Sequence, residues 1–450
     1  MKFLIVSGVL ALVLPAYASP VFAQAEVFEL SLREAEVQAV RSSNLLRSFA
    51  SDTESAFEQA ESKYSALLPR LTLEASYTYL TEVPNIPIPS PTPIPFGSHE
   101  VYSIGPVLRY TLWDTGASRK AYEGVSKMAE YRRENYKNEK LQLLLAVRSS
   151  YVRVDLALTE LLLVNDSLDL SRAEGRDVAI RFRAGAASRL DTVISEREIL
   201  NYQLQFKQKQ SELSAALADL QALLGDRKAR DVSHPGPPNL EGVTLVLRLA
   251  PLRNLIAEEA RAEIPPPDDL QPQIRSQDLL AESAFSQAES HKSELFPTIQ
   301  FSAKTSLDYP DGPVLEQVNQ NTISLSLSMP LFEGERTKHL AAEKIKEAES
   351  AKNRRAQLWV DIHRDFDKTR EIFENLREQQ AIAGEDVSQS EKAAKLYFES
   401  YKAGKINLTD VQGANLQAFQ AKVNAARIDA QILNQLFVLK ALSGKETGHE

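Results

Sequence analysis

Apolar and polar residues alternate in four stretches of the chain, each about ten residues long. Neighbouring side chains of an extended strand point to opposite faces, so the alternation puts apolar side chains on one face and small polar ones on the other. The stretches come in pairs and predict two β-hairpins, over about residues 71–113 and about residues 298–332. Alternation alone favours a β-sandwich with one solvated face, although the length also suits a tilted strand that crosses a membrane.

Each β-hairpin is followed by a long stretch without proline, in which apolar residues recur at helical spacing among many charges. These stretches predict two long helical hairpins, over about residues 116–224 and about residues 335–443. A first helix of roughly 65 residues would be near 100 Å long, which is far longer than a globular helix. Coiled-coil packing is needed to hold such a helix. This fits a solvated structural coiled coil, and it also fits the wall of a channel.

A glycine and a capping motif mark the turn of each helical hairpin. The glycine favours a left-handed C-cap, and a polar residue followed three positions later by aspartate is typical of a helix start. The six candidate residues of these turns are Gly185, Ser188, Asp191, Gly404, Asn407 and Asp410. The sequence leaves open whether the aspartates only cap their helices or also line a pore.

The chain contains this arrangement twice. Leu112-Trp113-Asp114 recurs as Leu331-Phe332-Glu333, and Arg183-Ala184-Gly185 recurs as Lys402-Ala403-Gly404, both 219 positions later. A constant spacing over such a length indicates a rigid element whose length matters. Before the β-hairpins the spacing is 228, and the nine extra residues fall in the proline-rich run Val83–Pro95. We expect this run to be an extended, exposed loop at the tip of the first β-hairpin.

The repeat divides the chain into segments. We expect a first structural repeat over residues 24–225 and a second over residues 271–444, each with a helix, a β-hairpin and a long helical hairpin. A connector with one short helix, packed on the outside of the main body, would occupy residues 226–270. Residues 445–450 would form a disordered tail.

The N-terminus and the composition narrow the class of protein. A lysine, an apolar run and small residues up to Ala23 predict a secretory signal peptide over residues 1–23. The 450 residues include no cysteine, which excludes disulfides, thiolate chemistry and the acylated cysteine of a lipoprotein. The net charge of −9, without a basic block, argues against nucleic acid as a partner. No later segment has the roughly 18 uninterrupted apolar residues of a membrane-spanning helix.

Any contact with the membrane interior must therefore be made by the strands. Four strands leave two open edges, and lipid offers no hydrogen bonds to the unpaired backbone groups of an edge. Other copies of the chain would have to complete the sheet.

No pattern of catalytic or ligand-binding residues is present in the sequence. The six histidines are dispersed, without a His-Glu-x-x-His motif, and no Gly-x-Ser-x-Gly elbow occurs. We therefore predict that the chain is not an enzyme and that it holds no metal or cofactor.

The element order and the junction motifs resemble the TolC-type outer-membrane channel family. Leu112-Trp113-Asp114-Thr115-Gly116 and Leu331-Phe332-Glu333-Gly334 are similar to the family's Leu-Phe-Asp-Gly-Gly turn from strand to helix. The spacings from Gly185 to Asp191 and from Gly404 to Asp410 are similar to the family's tip motifs. The candidate residues of the strand-to-helix turns are Trp113, Asp114, Gly116, Phe332, Glu333 and Gly334.

The resemblance implies a mainly α fold with four transmembrane β-strands per chain and an internal two-fold repeat. Long coiled-coil hairpins would form an α-barrel, and trimerisation would complete a β-barrel in outer-membrane lipid. It also implies a passive exit duct of a tripartite efflux pump or a type I secretion system, with a periplasmic adaptor and an inner-membrane transporter docked at the helical tips. Some members carry a further acidic residue three positions after the second-copy aspartate. This chain has Gly413 there, so an added acidic ring is not implied.

The competing interpretation is a periplasmic coiled-coil adaptor or structural scaffold without a pore. It predicts a protein that is soluble without detergent, whereas the channel predicts trimers extracted from the outer membrane. The four alternating strands favour the channel. An adaptor would instead carry lipoyl-like modules, and none is recognisable in the sequence.

Overall fold

The computed structural model describes residues 30–83, 85–86, 94–95, 97–225, 252–260, 263–312 and 314–444. The predicted signal peptide, the predicted tail and most of the predicted connector lie outside these residues.

Long helices dominate the described chain, and one sheet joins its two halves. The helices are α1 (Leu32–Ser42), α2 (Asn44–Tyr64), α3 (Ala117–Arg183), α4 (Arg189–Leu224), α5 (Leu252–Glu259), α6 (Pro272–Ser293), α7 (Arg336–Lys402) and α8 (Leu408–Ser443). The strands are β1 (Arg70–Tyr79), β2 (Asn85–Ile86), β3 (Ile94–Pro95), β4 (Glu100–Trp113), β5 (Thr298–Tyr309) and β6 (Val318–Ser328).

The four long strands form one antiparallel sheet in the order β1-β4-β5-β6. The two hairpins are joined where β4 pairs with β5, for example at Leu108 with Ala303. The outer strands β1 and β6 each have one long neighbour within the described chain. Each of them therefore leaves one row of backbone N–H and C=O groups without a partner strand.

One face of this sheet is apolar and exposed. Leu71 pairs with Leu108, and Phe301 lies between Tyr110 and Leu325. The exposed fraction is 72% for Leu73 and 78% for Ile323. A continuous apolar face of this kind indicates contact with lipid or with another protein.

The opposite face carries charges and small polar groups. Arg109 Nη1 lies 2.6 Å from Glu74 Oε1 across the β1–β4 pair. Lys304 Nζ donates to Ser103 Oγ at 3.1 Å across the β4–β5 pair. The two faces therefore differ as the alternating sequence pattern predicts.

The proline-rich run differs from its prediction at both ends. Asn85–Ile86 pairs antiparallel with Ile94–Pro95 as β2 and β3, so the run is not extended and unpaired throughout. A two-residue ladder needs few N–H donors, which is why prolines can flank it without breaking it. The residues between these two strands lie outside the described part of the chain.

The two helical hairpins have identical element lengths. The helices α3 and α7 each have 67 residues, and α4 and α8 each have 36. All their ends are displaced by the same 219 positions. At 1.5 Å per residue, α3 and α7 are each about 100 Å long, and the returning helices cover about half of that length.

Shorter helices abut the free ends of the returning helices. Gly225, the residue that directly follows α4, faces Ser42 at the α1–α2 junction. A Cβ atom on this glycine would lie 2.6 Å from Ser42 Cβ. Gly444 after α8 faces Gln271 and Pro272 at the start of α6 in the same way, with 2.9 Å to Gln271 Cγ. Both glycines have a φ of 69°, so only a residue without a side chain fits the turn and the contact.

The main core lies where these shorter helices meet the hairpins. Tyr151 and Val147 of α3 pack there with Leu220 of α4 and with Leu433 and Phe437 of α8. The helices α3 and α8 also pack against each other and so join the two helical hairpins. None of the helices in the described residues has an apolar stretch that could cross a membrane.

The described part of the connector is held against α8 by two ion pairs. Arg253 Nε of α5 donates to Asp429 Oδ2 at 3.0 Å, and Lys440 donates to Glu259 at the end of α5. Lys440 is 4% exposed, so Glu259 supplies the negative charge that this buried ammonium group needs.

Asp155 of α3 is a buried carboxylic acid for which the structure shows no cation within salt-bridge distance among the described residues. It is 7% exposed, and burial raises its pKa from 3.8 to about 6. The folded pKa lies above the unfolded one, so ionised Asp155 opposes folding. This cost is absent below pH 3.8, grows up to about pH 6 and is complete above that pH.

We predict that Asp155→Asn stabilises the protein at pH 8 by up to about 3 kcal/mol and has little effect near pH 4, because asparagine stays neutral. Thermal unfolding midpoints at the two pH values measure the effect. Asp169→Asn, at an exposed position on the same helix, is the matched control. An equal shift of the midpoint at both pH values would contradict the assignment.

Candidate functional site

The first strand-to-helix turn is built around Asp114, which caps α3. Its Oδ1 accepts from Gly116 N at 3.0 Å, and its Oδ2 accepts from Ser118 N at 2.7 Å. Burial raises the pKa of Asp114, but the hydrogen bonds from Ser118 and Gly116 outweigh burial and lower the pKa overall. The carboxylate also lies at the positive end of the helix dipole.

Glu333 has the same role at the start of α7. Its Oε1 accepts from Thr337 N at 3.1 Å, and its Oε2 accepts from Arg336 Nη2 at 3.2 Å. The hydrogen bonds from Thr337 and the charge of Arg336 hold the pKa of Glu333 below its usual value. The acidic residue of the strand-to-helix motif therefore satisfies one of the free N–H groups at the start of a 67-residue helix.

Each of these turns contains two consecutive residues with left-handed backbone. Thr115 and Gly116 have φ values of 53° and 84°, and Gly334 and Glu335 have φ values of 62°. The two glycines of the Leu-Phe-Asp-Gly-Gly pattern suit these two positions. Each copy in this chain keeps only one glycine, and the other left-handed position carries a side chain.

Aromatic side chains before the caps point away from the core. Trp113 is 59% exposed and Phe332 is 91% exposed. They mark the end of the apolar face of the sheet. Aromatic residues at such a boundary are typical of a membrane–water interface.

The turns at the far end of the helical hairpins share one geometry. Gly185 N donates to Phe182 O at 3.0 Å, and Ala186 N donates to Arg181 O at 2.8 Å. In the second copy, Gly404 N donates to Tyr401 O at 2.9 Å, and Lys405 N follows the same pattern. These are Schellman turns, and they require the left-handed φ values of 76° at Gly185 and 71° at Gly404.

The returning helices start with the predicted caps. Ser188 Oγ accepts from Asp191 N at 3.1 Å, and Asp191 Oδ2 accepts from Ser188 N at 2.9 Å. In the second copy, Asp410 Oδ2 accepts from Asn407 N at 3.2 Å. Both aspartates are therefore engaged with the backbone of their own turn.

The two turns lie side by side and enclose a shared cleft. Five of the six predicted tip residues line it, and Asp410 is outside its lining. The lining residues are Arg181, Gly185, Ala186, Ala187, Ser188, Asp191, Tyr401, Gly404, Ile406 and Asn407. Below the cleft, Val178, Leu408 and Val411 form a small apolar core between the hairpins.

Two cleft residues tie the hairpins together and were not singled out from the sequence for this role. Arg181 Nη1 of α3 donates to Lys402 O at the end of α7, at 3.0 Å, and its guanidinium lies 5.1 Å from the centre of the Tyr401 ring. Arg181 therefore caps the helix end of the neighbouring hairpin, a contact between residues 221 positions apart.

Tyr401 is the buried aromatic of the cleft. It is 7% exposed, and its hydroxyl has no hydrogen-bond partner in the described part of the chain. Burial and the Asp191 carboxylate raise the pKa of Tyr401, while the Arg181 charge opposes the shift. Arg181 thus contacts the Tyr401 ring across the two turns, and Asp191 acts on Tyr401 through its charge.

The described residues contain no group of three or more side chains that could hold a metal ion. Both candidate sites consist of helix caps, turns and contacts between hairpins. Such an arrangement positions helices and shapes a surface.

Solved structures of outer-membrane channels share this fold. VceC of Vibrio cholerae has 16% identity and a TM-score of 0.72, with 92% of this chain and 96% of that chain covered. The CmeC outer membrane channel of Campylobacter jejuni has 16% identity and a TM-score of 0.73, with coverages of 92% and 85%. The open state of the MtrE outer membrane channel of Neisseria gonorrhoeae has 16% identity and a TM-score of 0.69, with coverages of 92% and 89%. No curated protein sequence matches the chain significantly.

Duplicated hairpins of long helices that continue from an open-edged sheet are the fold that this chain shares with these channel structures. The model of the outer membrane efflux protein family matches residues 37–226 and 269–445. The chain belongs to this family. The predicted fold class and the resemblance to TolC-type channels are confirmed. Membership in a family of efflux proteins also agrees with the expectation that the chain is not an enzyme.

We predict that Thr115→Gly and Glu335→Gly each stabilise the protein by about 1 kcal/mol, because a side chain in the left-handed region is strained and glycine is not. Thermal unfolding midpoints measure the gain. Thr115→Ala is the matched control, because alanine keeps the Cβ that causes the strain. A glycine variant no more stable than the alanine variant would show that the turn is unstrained.

Proposed function

We propose that the chain is one third of a trimeric outer-membrane conduit, the passive exit duct of a tripartite efflux pump or a type I secretion system. A periplasmic adaptor and an inner-membrane transporter would dock at the helical tips. The observation that carries the proposal is the four-stranded sheet, whose exposed apolar face ends in open edges and leads directly into two pairs of long helices. Family membership supports the efflux role.

The open edges support the proposed trimer. If β6 of one chain pairs with β1 of the next, every long strand has two neighbours. The apolar face of the closed sheet can then contact lipid all the way round. The polar face, with Glu74, Arg109 and Lys304, would then line the interior of the closed sheet. A periplasmic adaptor or scaffold without a pore would leave the apolar face in water, which disfavours that alternative.

The helices offer a second seam between copies. The hairpins of one chain meet through α3 and α8, so α4 and α7 each keep a face outside this contact. On α4 the exposed fraction is 64% for Leu200 and 60% for Leu204. On α7 it is 70% for Ile382 and 63% for Leu396. In the proposed trimer, α4 of one chain packs against α7 of its neighbour and covers these side chains.

We predict that Leu200→Glu combined with Leu204→Glu dissociates the detergent-extracted trimer, because buried carboxylates without cations are costly. Size-exclusion chromatography with light scattering measures the mass. The matched control is Asn201→Glu combined with Gln203→Glu, which adds the same charge at exposed polar positions of α4. Trimers that survive the leucine substitutions, or a wild-type protein that is monomeric, would contradict the seam.

The proposed conduit is passive, and its opening requires the helical hairpins to shift at the tip. At the tip, Arg181 joins the two hairpins of one chain through Lys402 O and the Tyr401 ring. A docked partner that favours a different arrangement of the hairpins would shift the population towards an open state.

Planar-bilayer recording tests the proposed function and separates two roles of Asp410. The wild-type protein should give stepwise conductance. Asp410→Asn keeps an oxygen that can cap α8 but removes the charge, whereas Asp410→Ala removes both. If the carboxylate lines the pore, both variants change the conductance or the closed fraction. If it is only a cap, Asp410→Asn behaves as wild type and only Asp410→Ala lowers the unfolding midpoint. A wild-type protein that inserts but never conducts would contradict the conduit.

A further inference from the structure

A cavity of about 260 Å³ lies among the helices α3, α4, α7 and α8, in the part of each helix that is near its hairpin turn. We call it the hairpin cavity. Its apolar wall includes Leu170 of α3, Phe398 of α7 and Phe419 of α8. Phe419 is held in place by an edge contact with Tyr202, with 6.0 Å between the ring centres. Apolar walls with a few polar groups are typical of small-molecule sites.

The polar part of the hairpin cavity is acidic. Glu174 of α3 lines it and is 8% exposed. Both of its carboxylate oxygens lie 3.1 Å from Asn415 Nδ2 of α8, which donates to them. Within the described residues no Lys, Arg or His nitrogen lies within 4.0 Å of this carboxylate. One neutral amide donor leaves most of the hydrogen-bonding capacity of Glu174 unused, and its carboxylate has no cation in direct contact within the described residues.

Glu198 of α4 adds a second carboxylate to the same lining. Burial raises the pKa of Glu174, against the hydrogen bond from Asn415. The charges of Glu198 and Asp177 raise it further, and the charge of Lys402 opposes them.

Burial also raises the pKa of Glu198, against the charge of Arg197. Burial and the two carboxylates raise the pKa of Tyr202 to about 12. All three shifts show that the cavity disfavours added negative charge, and a cation inside it would relieve the repulsion.

The lysines of the cavity lining do not supply that cation. Lys422 Nζ lies 2.6 Å from Glu391 Oε1, and the charge of Lys395 also acts on Glu391. Lys422 is therefore paired with a carboxylate other than Glu174 and Glu198, and neither lysine lies within 4.0 Å of those two carboxylates.

We propose that the hairpin cavity binds a small organic cation with a flat apolar body. The charged group would meet Glu174 and Glu198, and the body would pack against Phe398 and Phe419. An aromatic wall favours such a cation through its ring faces as well as through apolar contact. An inorganic ion would leave the apolar wall unfilled, and a neutral aromatic compound would leave the carboxylates unmatched.

Binding has a structural consequence because each of the four lining helices belongs to one of the two hairpins. An occupant contacts both hairpins at once and stabilises the arrangement shown by this structure. A ligand that binds only the folded state raises the unfolding midpoint in proportion to its occupancy. The inference does not rest on conduction, since it concerns a site within one chain.

Benzamidinium is the probe, because its amidinium can donate to a carboxylate in a bidentate manner and its ring matches the apolar wall. Benzamide is the neutral control of the same shape. Isothermal titration calorimetry of the full chain in detergent, at constant ionic strength, should show one site per chain for benzamidinium. We expect binding at least ten-fold weaker for benzamide and for Glu174→Gln, which removes the charge but keeps an acceptor for Asn415.

Asp169→Asn removes a charge from an exposed position of α3 and should leave binding unchanged. If Glu174→Gln does not fold, Glu198→Gln is the second variant and should weaken binding several-fold. The proposal is overturned if benzamide binds as tightly as benzamidinium. It is also overturned if neither glutamate variant weakens binding, if potassium ions compete at equal concentration, or if no heat is detected up to about 10 mM probe.

Discussion

The backbone of an edge strand in lipid must find a hydrogen-bond partner, and this requirement organises the whole chain. Within the described residues, β1 and β6 each leave one edge unpaired, and the sheet presents its apolar side chains outward. A single copy of the chain cannot pair both edges and also keep its apolar face in lipid. A sheet that is closed by further copies of the chain can do both. Once the sheet is closed, the direction and spacing of the helices that leave it are set by the strands they follow.

The equal lengths of the helical hairpins fit the proposed closure. If α3 and α7 start at the same membrane surface and end at the same tip, neither can gain a turn without the other. Their 67-residue lengths and the 36-residue lengths of α4 and α8 satisfy this condition. The difference between the repeats lies instead in the proline-rich run of the first β-hairpin, where extra residues do not change the distance between membrane and tip. Each long helix is capped by a carboxylate at its start, Asp114 for α3 and Glu333 for α7. A glycine with left-handed backbone follows its end, Gly185 for α3 and Gly404 for α7.

The features that could be predicted from sequence are those with a local or periodic cause. Alternation indicated the four strands, and glycine followed by a capping motif indicated the turns after Arg183 and Lys402. The paired ends of the proline-rich run were missed, because proline content argues against pairing and two-residue ladders leave no periodicity. The contact of Arg181 with Lys402 O and the burial of Glu174 beside Asn415 join residues more than 200 positions apart. Such contacts depend on how α3 packs against α8 and meets the end of α7, which no single stretch of sequence encodes. The left-handed backbone of Thr115 and Glu335 was also missed, since neither residue type favours it.

The most direct test of this account is a cryo-electron microscopy structure of the mature protein purified from the outer membrane into lipid nanodiscs. The account predicts three copies, with β6 of each chain paired to β1 of the next inside the bilayer and the helical hairpins forming one closed ring outside it. A single chain with unpaired edges, or a sheet that lies outside the bilayer, would contradict it.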